Sequence, residues 1–327
     1  MTQFYLGIDV AKKTFDAALL GGPQTYAGHF SNDKQGFVKL ARWLQKRDVQ
    51  QLHACLEATG RYGEALAHYL YQQGYQVSVV NPMRIKKYAE SKLQRTKTDA
   101  VDAKLIAEFC AKEKPVLWSP PSEAESELQA LVRHVEALKV DRQRERNRQQ
   151  SGQQSPQVLQ AIEAHLVFLE TQINDLEQQI NDHIDRHPDL KQKKRLLVSI
   201  PGIGDVTAAK FLAEVPDVSR YPQASQLAAY AGLTPQYRQS GTSVHTPGRL
   251  SKIGNSHLRA AFYMPALSAA RFNPIVRTLV QRLEAKGKSK MTIIGAVMRK
   301  LLHLAYGVLK TGKPFDSDYA VNIPFYS

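Results

Sequence analysis

Within the first hundred residues the spacing of apolar side chains switches between two periods, and this switching limits what the chain can fold into more than any other feature. FYLGIDV (4–10), TFDAALL (14–20) and TYAGHF (25–30) are strand-like runs separated by a Lys-Lys break and a Gly-Gly-Pro break. A helical pattern over 33–47 follows, then a strand-like LHACLEA (52–58), a helix from about 62 to 73, a strand-like YQVSVVN (75–81), and a helix from Asp99 to about Lys112. The order β-β-β-α-β-α-β-α predicts an α/β layer in which helices cover a largely buried sheet.

From Leu128 the pattern becomes one of long helices. Leu128, Leu131, Val135 and Leu138 step by three and four, and after the polar break QQSGQQSPQ (149–157) so do Leu159, Ile162, Leu166, Leu169, Ile173, Leu176 and Ile180. Two such helices form a coiled-coil hairpin closed at His187-Pro188, whose seam serves either the hairpin itself or a dimer. From Leu196 to about Lys310 the chain reads as mostly helical, with turns at 201–204, 232–235 and 247–254, and DSDYAVNIPFYS reads as an irregular tail. At 327 residues the chain is about twice a typical domain length. The expected division is an α/β domain over 1–113, a helical coiled-coil connector over 114–195 and a mainly α domain over 196–327.

Charge is unevenly spread over these parts. Residues 1–105 carry 15 basic and 9 acidic side chains, 106–195 carry 13 and 15, and 196–327 carry 16 and 6. Two basic ends favour a polyanion such as DNA or RNA, while the middle suits a spacer. Cys55 and Cys110 are too few for a disulfide framework or a cysteine zinc site, which points to a reducing compartment and a cytoplasmic protein. The N-terminus lacks the pattern of a signal peptide, and the apolar run Ile293–Met298 stops at Arg299, short of a membrane span.

Acids stand where the strands end. Asp9 closes the first strand in GIDVAKKTFD, Glu57 closes the fourth in CLEATG, and Asp99 and Asp102 sit three apart at the start of a helix. That spacing puts the last two on one helix face, roughly 5–6 Å apart at Cβ. Phosphodiester chemistry uses such a cluster, because two divalent ions about 3.5–4 Å apart activate the attacking oxygen and stabilise the leaving one. Magnesium prefers hard carboxylate ligands. Taken singly, Asp9 also suits a strand-end turn, Glu57 a solvated loop and Asp99 a helix N-cap.

AYAGLTPQYRQSGTSVHTPGRLSKIGNSHLRAAF (229–262) is the densest motif. Ser240 precedes a glycine that permits close backbone approach to a ligand, and Arg249, Lys252, Asn255, His257 and Arg259 follow as phosphate-contact candidates. A serine hydroxyl needs a base or a metal to become a nucleophile. His245 is a possible local base, and Ser243 and Ser251 rival Ser240 on spacing alone. Upstream, SIPGIGDVTAAKFLAE (199–214) resembles a helix-hairpin-helix turn, in which Gly202 and Gly204 bring backbone N–H groups to a phosphate. Arg84, Lys86, Lys87, Arg95 and Lys97, in the basic run after the fifth strand, complete the candidate nucleic-acid contacts.

The strand and helix order is that of ribonuclease H-like domains, and the motifs resemble those of the bridge-RNA-guided insertion-sequence recombinases, a DEDD transposase family that includes the Piv-type DNA invertases. The resemblance rests on GIDVAKKTFD, LEATGRY, NPMRIKKYAES-KLQRTKTDAVDA, LLVSIPGIG, LAAYAGLTPQYRQSG, LSKIGNSHLR and MRKLLHLAY, in that order along almost the whole chain. It implies a RuvC-like N-terminal domain with a DEDD tetrad falling on Asp9, Glu57, Asp99 and Asp102 and binding magnesium. In the C-terminal transposase domain it implies a catalytic serine falling on Ser240, which forms a covalent phosphoserine with DNA. It further implies donor and target DNA, an element-encoded guide RNA and a homotetramer. Two other readings compete: a junction-resolving nuclease that activates water and leaves Ser240 structural, and a noncatalytic nucleic-acid scaffold.

Overall fold

A computed structural model describes residues 3–21, 24–58, 62–92, 98–152, 155–240 and 244–317, with the side chains of 237–248 outside what is described. The chain divides into two compact units, Met1–Pro120 and Pro121–Ser327.

In the first unit β1 (Gln3–Val10), β2 (Thr14–Leu20), β3 (Thr25–Ser31), β4 (Gln51–Glu57) and β5 (Gln76–Val80) form one mixed sheet in the order β3-β2-β1-β4-β5. β2 runs antiparallel to β1 and β3, while β1, β4 and β5 are parallel. This is the expected ribonuclease H/RuvC-like arrangement. Alternation along the central strands assigns their faces. Leu6, Ile8, Val10, Leu52, Ala54 and Leu56 join a core with Leu40 and Leu44 of α1 (Lys34–Gln45) and Leu66 and Leu70 of α2 (Glu64–Gln72). On the opposite face Tyr5 and Cys55 pack with Ile106, Phe109 and Cys110 of α4 (Asp99–Glu113) and Ile85 of α3 (Pro82–Ser91). Apolar periodicity did not reveal α3, which buries only Ile85, but its start is signed by Asn81, whose side chain accepts from Met83 N, and by Pro82 in the first turn.

The second unit opens with α5 (Glu123–Gln150) and α6 (Pro156–Arg186), begun by Ser122 in a capping box with Glu125 and by Ser155. They pack on each other within the chain, and the Arg142–Glu170 and Lys139–Glu177 pairs at 2.8 and 2.6 Å stitch them together. Most of the seam faces inward: Ile162, Leu169, Ile173 and Ile180 are buried, Leu166 and Leu176 are half-buried, and Leu159 is exposed, as are Val167 and Phe168 at 64% and 57%. The hairpin anticipated as a separate connector shares one core with the remainder, because Leu128, Val135, Ile173 and Ile180 join Phe211, Phe262 and Leu301.

Further along are α7 (Pro188–Val198), α8 (Asp205–Glu214), α9 (Ala224–Tyr230), α10 (Ser256–Ala261), α11 (Tyr263–Phe272), α12 (Pro274–Ala285) and α13 (Lys290–Thr311). α13 is long and apolar enough to cross a membrane by length and composition, yet Ile293, Val297, Leu301, Leu302 and Ala305 line the core of this unit. The mainly helical expectation holds except at 235–250, where β6 (Pro235–Ser240) and β7 (Val244–Leu250) make a two-stranded ribbon. PQYRQS lacks apolar alternation, and Pro235 and Pro247 read as turn residues. A ribbon with unpaired outer edges tolerates both prolines, and so carries no strand signal of the usual kind.

Candidate active site

Asp9 and Glu57 lie on the same face at the carboxyl ends of adjacent parallel strands, since Ile8 pairs with Leu56 and the residues of that face on β1 and β4 pack toward α4. Both are half-buried. The helix reaches them because residue 7 is glycine: a Cβ there would lie 2.1 Å from the Ala103 carbonyl oxygen and 2.2 Å from the Ala107 nitrogen. At the other end of the contact, the Cys110 thiol donates to the His53 carbonyl at 3.6 Å, and His53 is level with Tyr5. Along α4, therefore, Cys110 stands level with Tyr5 and Ala103 to Ala107 with Gly7, so the helix runs antiparallel to β1. Four residues back from Ala103 is about 6 Å of helix, and two residues on from Gly7 is about 6.6 Å of strand. The exposed Asp99 is thus carried to about the level of Asp9 and Glu57, while Asp102, one residue before Ala103, stands about 1.5 Å of helix from the level of Gly7. Thr98 caps the helix, its hydroxyl accepting from Val101 N at 3.3 Å, and both acids sit in a first turn whose dipole favours negative charge.

Asp9 and Glu57 share the carboxyl edge of two adjacent strands, and Asp99 and Asp102 lie in the first turn of the helix that packs on those strands. Their side chains do not form a cage: among the described residues no three His, Cys, Asp or Glu groups stand close enough to hold a metal ion. Asp9, Glu57 and Asp102 each have a further interaction partner. As a donor set, four carboxylates suit a hard divalent cation. A fifth acid escaped the sequence reading: Asp16 lies directly across from Asp9 in the β1–β2 ladder and contacts His29 Nδ1 at 3.1 Å. Its signal was its place in GIDVAKKTFD, seven residues after Asp9, visible only once the two strands are paired.

Ser240 ends β6 opposite Val244, at the tip of the ribbon, and Gln239 pairs with His245. Residues 241–243, including Ser243, fall outside the described residues, as do the side chains of Ser240 and His245. The base of the ribbon is held firmly. Ser251 N donates to Thr234 O at 2.9 Å and Lys252 N to Gly232 O at 3.1 Å, with Lys252 in the left-handed region at φ 54. Gly254, at φ 136, lies so close to Tyr230 that a Cβ would sit 2.1 Å from its carbonyl oxygen.

Behind this base is a polar clamp centred on the buried Glu214. Arg133 donates from Nε and Nη2 to the two oxygens of Glu214 at 2.9 and 3.1 Å, and Asn255 Nδ2 donates to Glu214 Oε2 at 2.6 Å and the Tyr230 hydroxyl at 3.1 Å. Burial works to raise the Glu214 pKa, but Arg133 and Asn255 outweigh it and hold the carboxyl below its ordinary value. Burial pushes the Tyr230 hydroxyl up. Sequence reasoning missed Glu214 and Arg133, which are 81 residues apart and meet only in the folded unit.

The candidate nucleic-acid contacts divide by what they touch. Asn255 is committed to the clamp and caps α10 through Leu258 N, and Arg259 donates to the carbonyls of Ala231 and Lys252 at 3.1 and 3.2 Å, so both position the ribbon base. Arg249 and Lys252 are exposed. Gly202, at φ 105, has a packing reason, since a Cβ would lie 2.6 Å from Ala269 Cβ on α11. Gly204, at the N-cap of α8, has open space around it, and the neighbouring Asp205 pairs with Lys194 at 2.8 Å. On α3, Arg84 lies over the Phe109 ring at 5.2 Å, Lys87 pairs with Glu90 at 2.6 Å, and Lys86 is exposed. Arg95 and Lys97 lie outside the described residues.

Comparison with known proteins places this geometry in a family. Residues 6–152 match a DEDD-type IS110 family model described as "Transposase", and residues 194–281 match one described as "Transposase IS116/IS110/IS902 family". A pilin gene-inverting protein of Moraxella bovis is 40% identical over 320 residues, covering 97% of this chain and 98% of that protein. The transposase for insertion sequence element IS1328 of Yersinia enterocolitica is 26% identical over 314 residues, covering 85% and 84%. Among solved structures, T. thermophilus RuvC in complex with a Holliday junction substrate matches 34% of this chain and 96% of its own, with a TM-score of 0.27 and 13% identity. The DEDD fold implies a divalent metal. With its mixed-sheet N-terminal unit, its helical C-terminal unit and a relative 40% identical over nearly its full length, the chain belongs to the IS110/IS116/IS902 family of DEDD transposases, enzymes acting on DNA phosphodiesters.

Proposed function

We propose that this transposase is an RNA-guided recombinase that cuts and rejoins DNA through Ser240, with Asp9, Glu57, Asp99 and Asp102 holding magnesium. What supports the reading is that Asp9 and Glu57 end adjacent parallel strands and that the helix carrying Asp99 and Asp102 in its first turn packs on those strands at Gly7. Such a group of hard oxygen donors fits magnesium, which when bound supplies positive charge that stabilises the transition state at phosphorus and eases deprotonation of the attacking hydroxyl.

Ser240 Oγ attacks a DNA phosphorus, the bond from phosphorus to the leaving strand's oxygen breaks, and that oxygen takes up a proton. The serine ester keeps the phosphodiester energy, so a hydroxyl of a second strand can displace Ser240 without any high-energy cofactor. A ribbon clamped at its base and carrying the serine at its tip suits this role, because it presents one residue to the duplex from a fixed support. Lys and Arg side chains hold backbones, and choice of sequence falls to base pairing with an element-encoded guide RNA. The protein acts in the cytoplasm as a tetramer, so that two duplexes meet several active sites.

Ser240→Ala is the decisive variant. It should lose both strand cleavage and the denaturation-resistant protein–DNA adduct, while Ser243→Ala keeps part of each. Mass spectrometry of the linked peptide should find the phosphate on Ser240, and a phosphate elsewhere, or normal recombination by Ser240→Ala, would end the assignment. Guidance has its own test: adding the element's RNA should change which DNA is chosen, and indifference to RNA would remove that part of the reading.

A further inference from the structure

Between α12 and α13 several basic side chains gather without an acid. Arg282 is exposed on α12, as is Arg277, while on α13 Arg299 and Lys300 each neighbour His303, four and three residues before it. The two helices pack against each other. The charges that act on Lys300 and His303 are all positive: burial and then Arg282 lower the Lys300 pKa, and burial followed by Arg299 and Lys300 pushes His303 down to about 4. His303 Nε2 is buried with no hydrogen-bond partner. In the sequence around them, residues 271–313 hold ten lysines and arginines and a single acid, Glu284. Lys286, Lys288 and Lys290 extend the strip through the exposed turn that joins the helices.

Such a cluster works against the fold. Like charges repel, a half-buried ammonium loses hydration, and a buried ring nitrogen without a partner forfeits a hydrogen bond. A row of phosphates offsets the first two. We propose that the α12–α13 face is a binding surface for the backbone of duplex DNA, with Arg282, Arg299 and Lys300 neutralising phosphates. From Pro274 to Lys300 there is no aromatic side chain, so the strip lacks the stacking platforms on which single strands are held and suits a duplex, whose phosphates are regular and whose bases are inside. The inference rests on the DNA chemistry of the family and is independent of whether Ser240 is the nucleophile.

The experiment measures binding of the full chain to two labelled duplexes of unrelated sequence, by fluorescence anisotropy across a salt series. Arg282→Gln combined with Lys300→Gln should flatten the log–log salt dependence by about 0.9 for each phosphate contact removed, equally on both duplexes. Between about 50 and 200 mM salt this spares roughly 3.5-fold of the affinity loss per contact. The same double variant should melt at a higher temperature without DNA, because repulsion is relieved, which a merely structural role would not produce. Lys286→Gln with Lys288→Gln, in the exposed turn, should flatten the slope without depending on the core, and carries the test if the first variant does not fold. An unchanged slope in both variants, a lower melting temperature with an unchanged slope, or a loss seen with folded RNA and not with duplex DNA would overturn the proposal.

Discussion

Glu214 shows what one residue can reveal about the support of a site. It is buried, accepts from Arg133 and Asn255, and its carboxyl is held below the ordinary range. Glu214→Gln should cost about 2 kcal/mol, below the range for a fully buried pair because Arg133 is 31% exposed. The pH dependence follows from the sign of the shift. A carboxyl with a depressed folded pKa contributes its full stability above the unfolded value of about 4.5 and loses it as pH falls through the folded value. The difference in melting temperature between wild type and Glu214→Gln should therefore narrow on acidification below about 4.5, and a gap that is constant across that window would refute the assignment. At the metal edge, Asp9→Asn and Asp102→Asn should bring strand cleavage to background while leaving thermal unfolding and DNA binding close to wild type. Retained cleavage in excess chelator would contradict the metal reading.

Among the elements, α4 carries two of the four candidate acids, and it is seated on the sheet by close approach at Gly7 together with the Cys110–His53 hydrogen bond. Gly7→Ala would press a methyl group into the helix backbone at Ala103 and Ala107, where no side chain can move aside. The expected cost is about 3 kcal/mol, with loss of cleavage although every acid is intact. Calorimetry and a nicking assay read the two effects separately. The α5–α6 hairpin makes a second prediction. Leu169→Lys places a charge in an internal seam and should destabilise by about 3 kcal/mol, whereas Phe168→Lys, on the exposed side, should change stability by no more than about 0.5 kcal/mol. Equal effects of the two would mean that the seam is not internal.

At the scale of the whole molecule the two units have separate cores: the clusters around Leu6 and Cys55 lie wholly within Met1–Pro120, and the large helical cluster lies wholly within Pro121–Ser327. Residues 1–120 and 121–327 expressed apart should each unfold cooperatively. Neither piece alone should carry out recombination. Non-cooperative melting of either piece, followed by circular dichroism, would show that its core is incomplete. The uneven charge along the chain belongs to this scale as well, since the C-terminal excess of cations is concentrated on the helices that follow the ribbon.

The sequence by itself determined the layered N-terminal sheet and the two long helices, because these are written in local periodicity. Period-2 runs made β1 to β5 legible, and steps of three and four made α5 and α6 legible, since each buries one face along its own length. Only tertiary structure decided the rest. The ribbon carrying Ser240 has no apolar face to announce it, so its strands are defined by pairing with each other. That Asn255 and Arg259 also hydrogen-bond to Glu214, Ala231 and Lys252 is visible only in the folded unit. Most of the hairpin seam is spent internally, a choice that heptad spacing leaves open between a chain and its copy. Contacts such as Arg133–Glu214 depend on where distant segments come to rest, and that is set by the packing of whole cores and not by any local pattern.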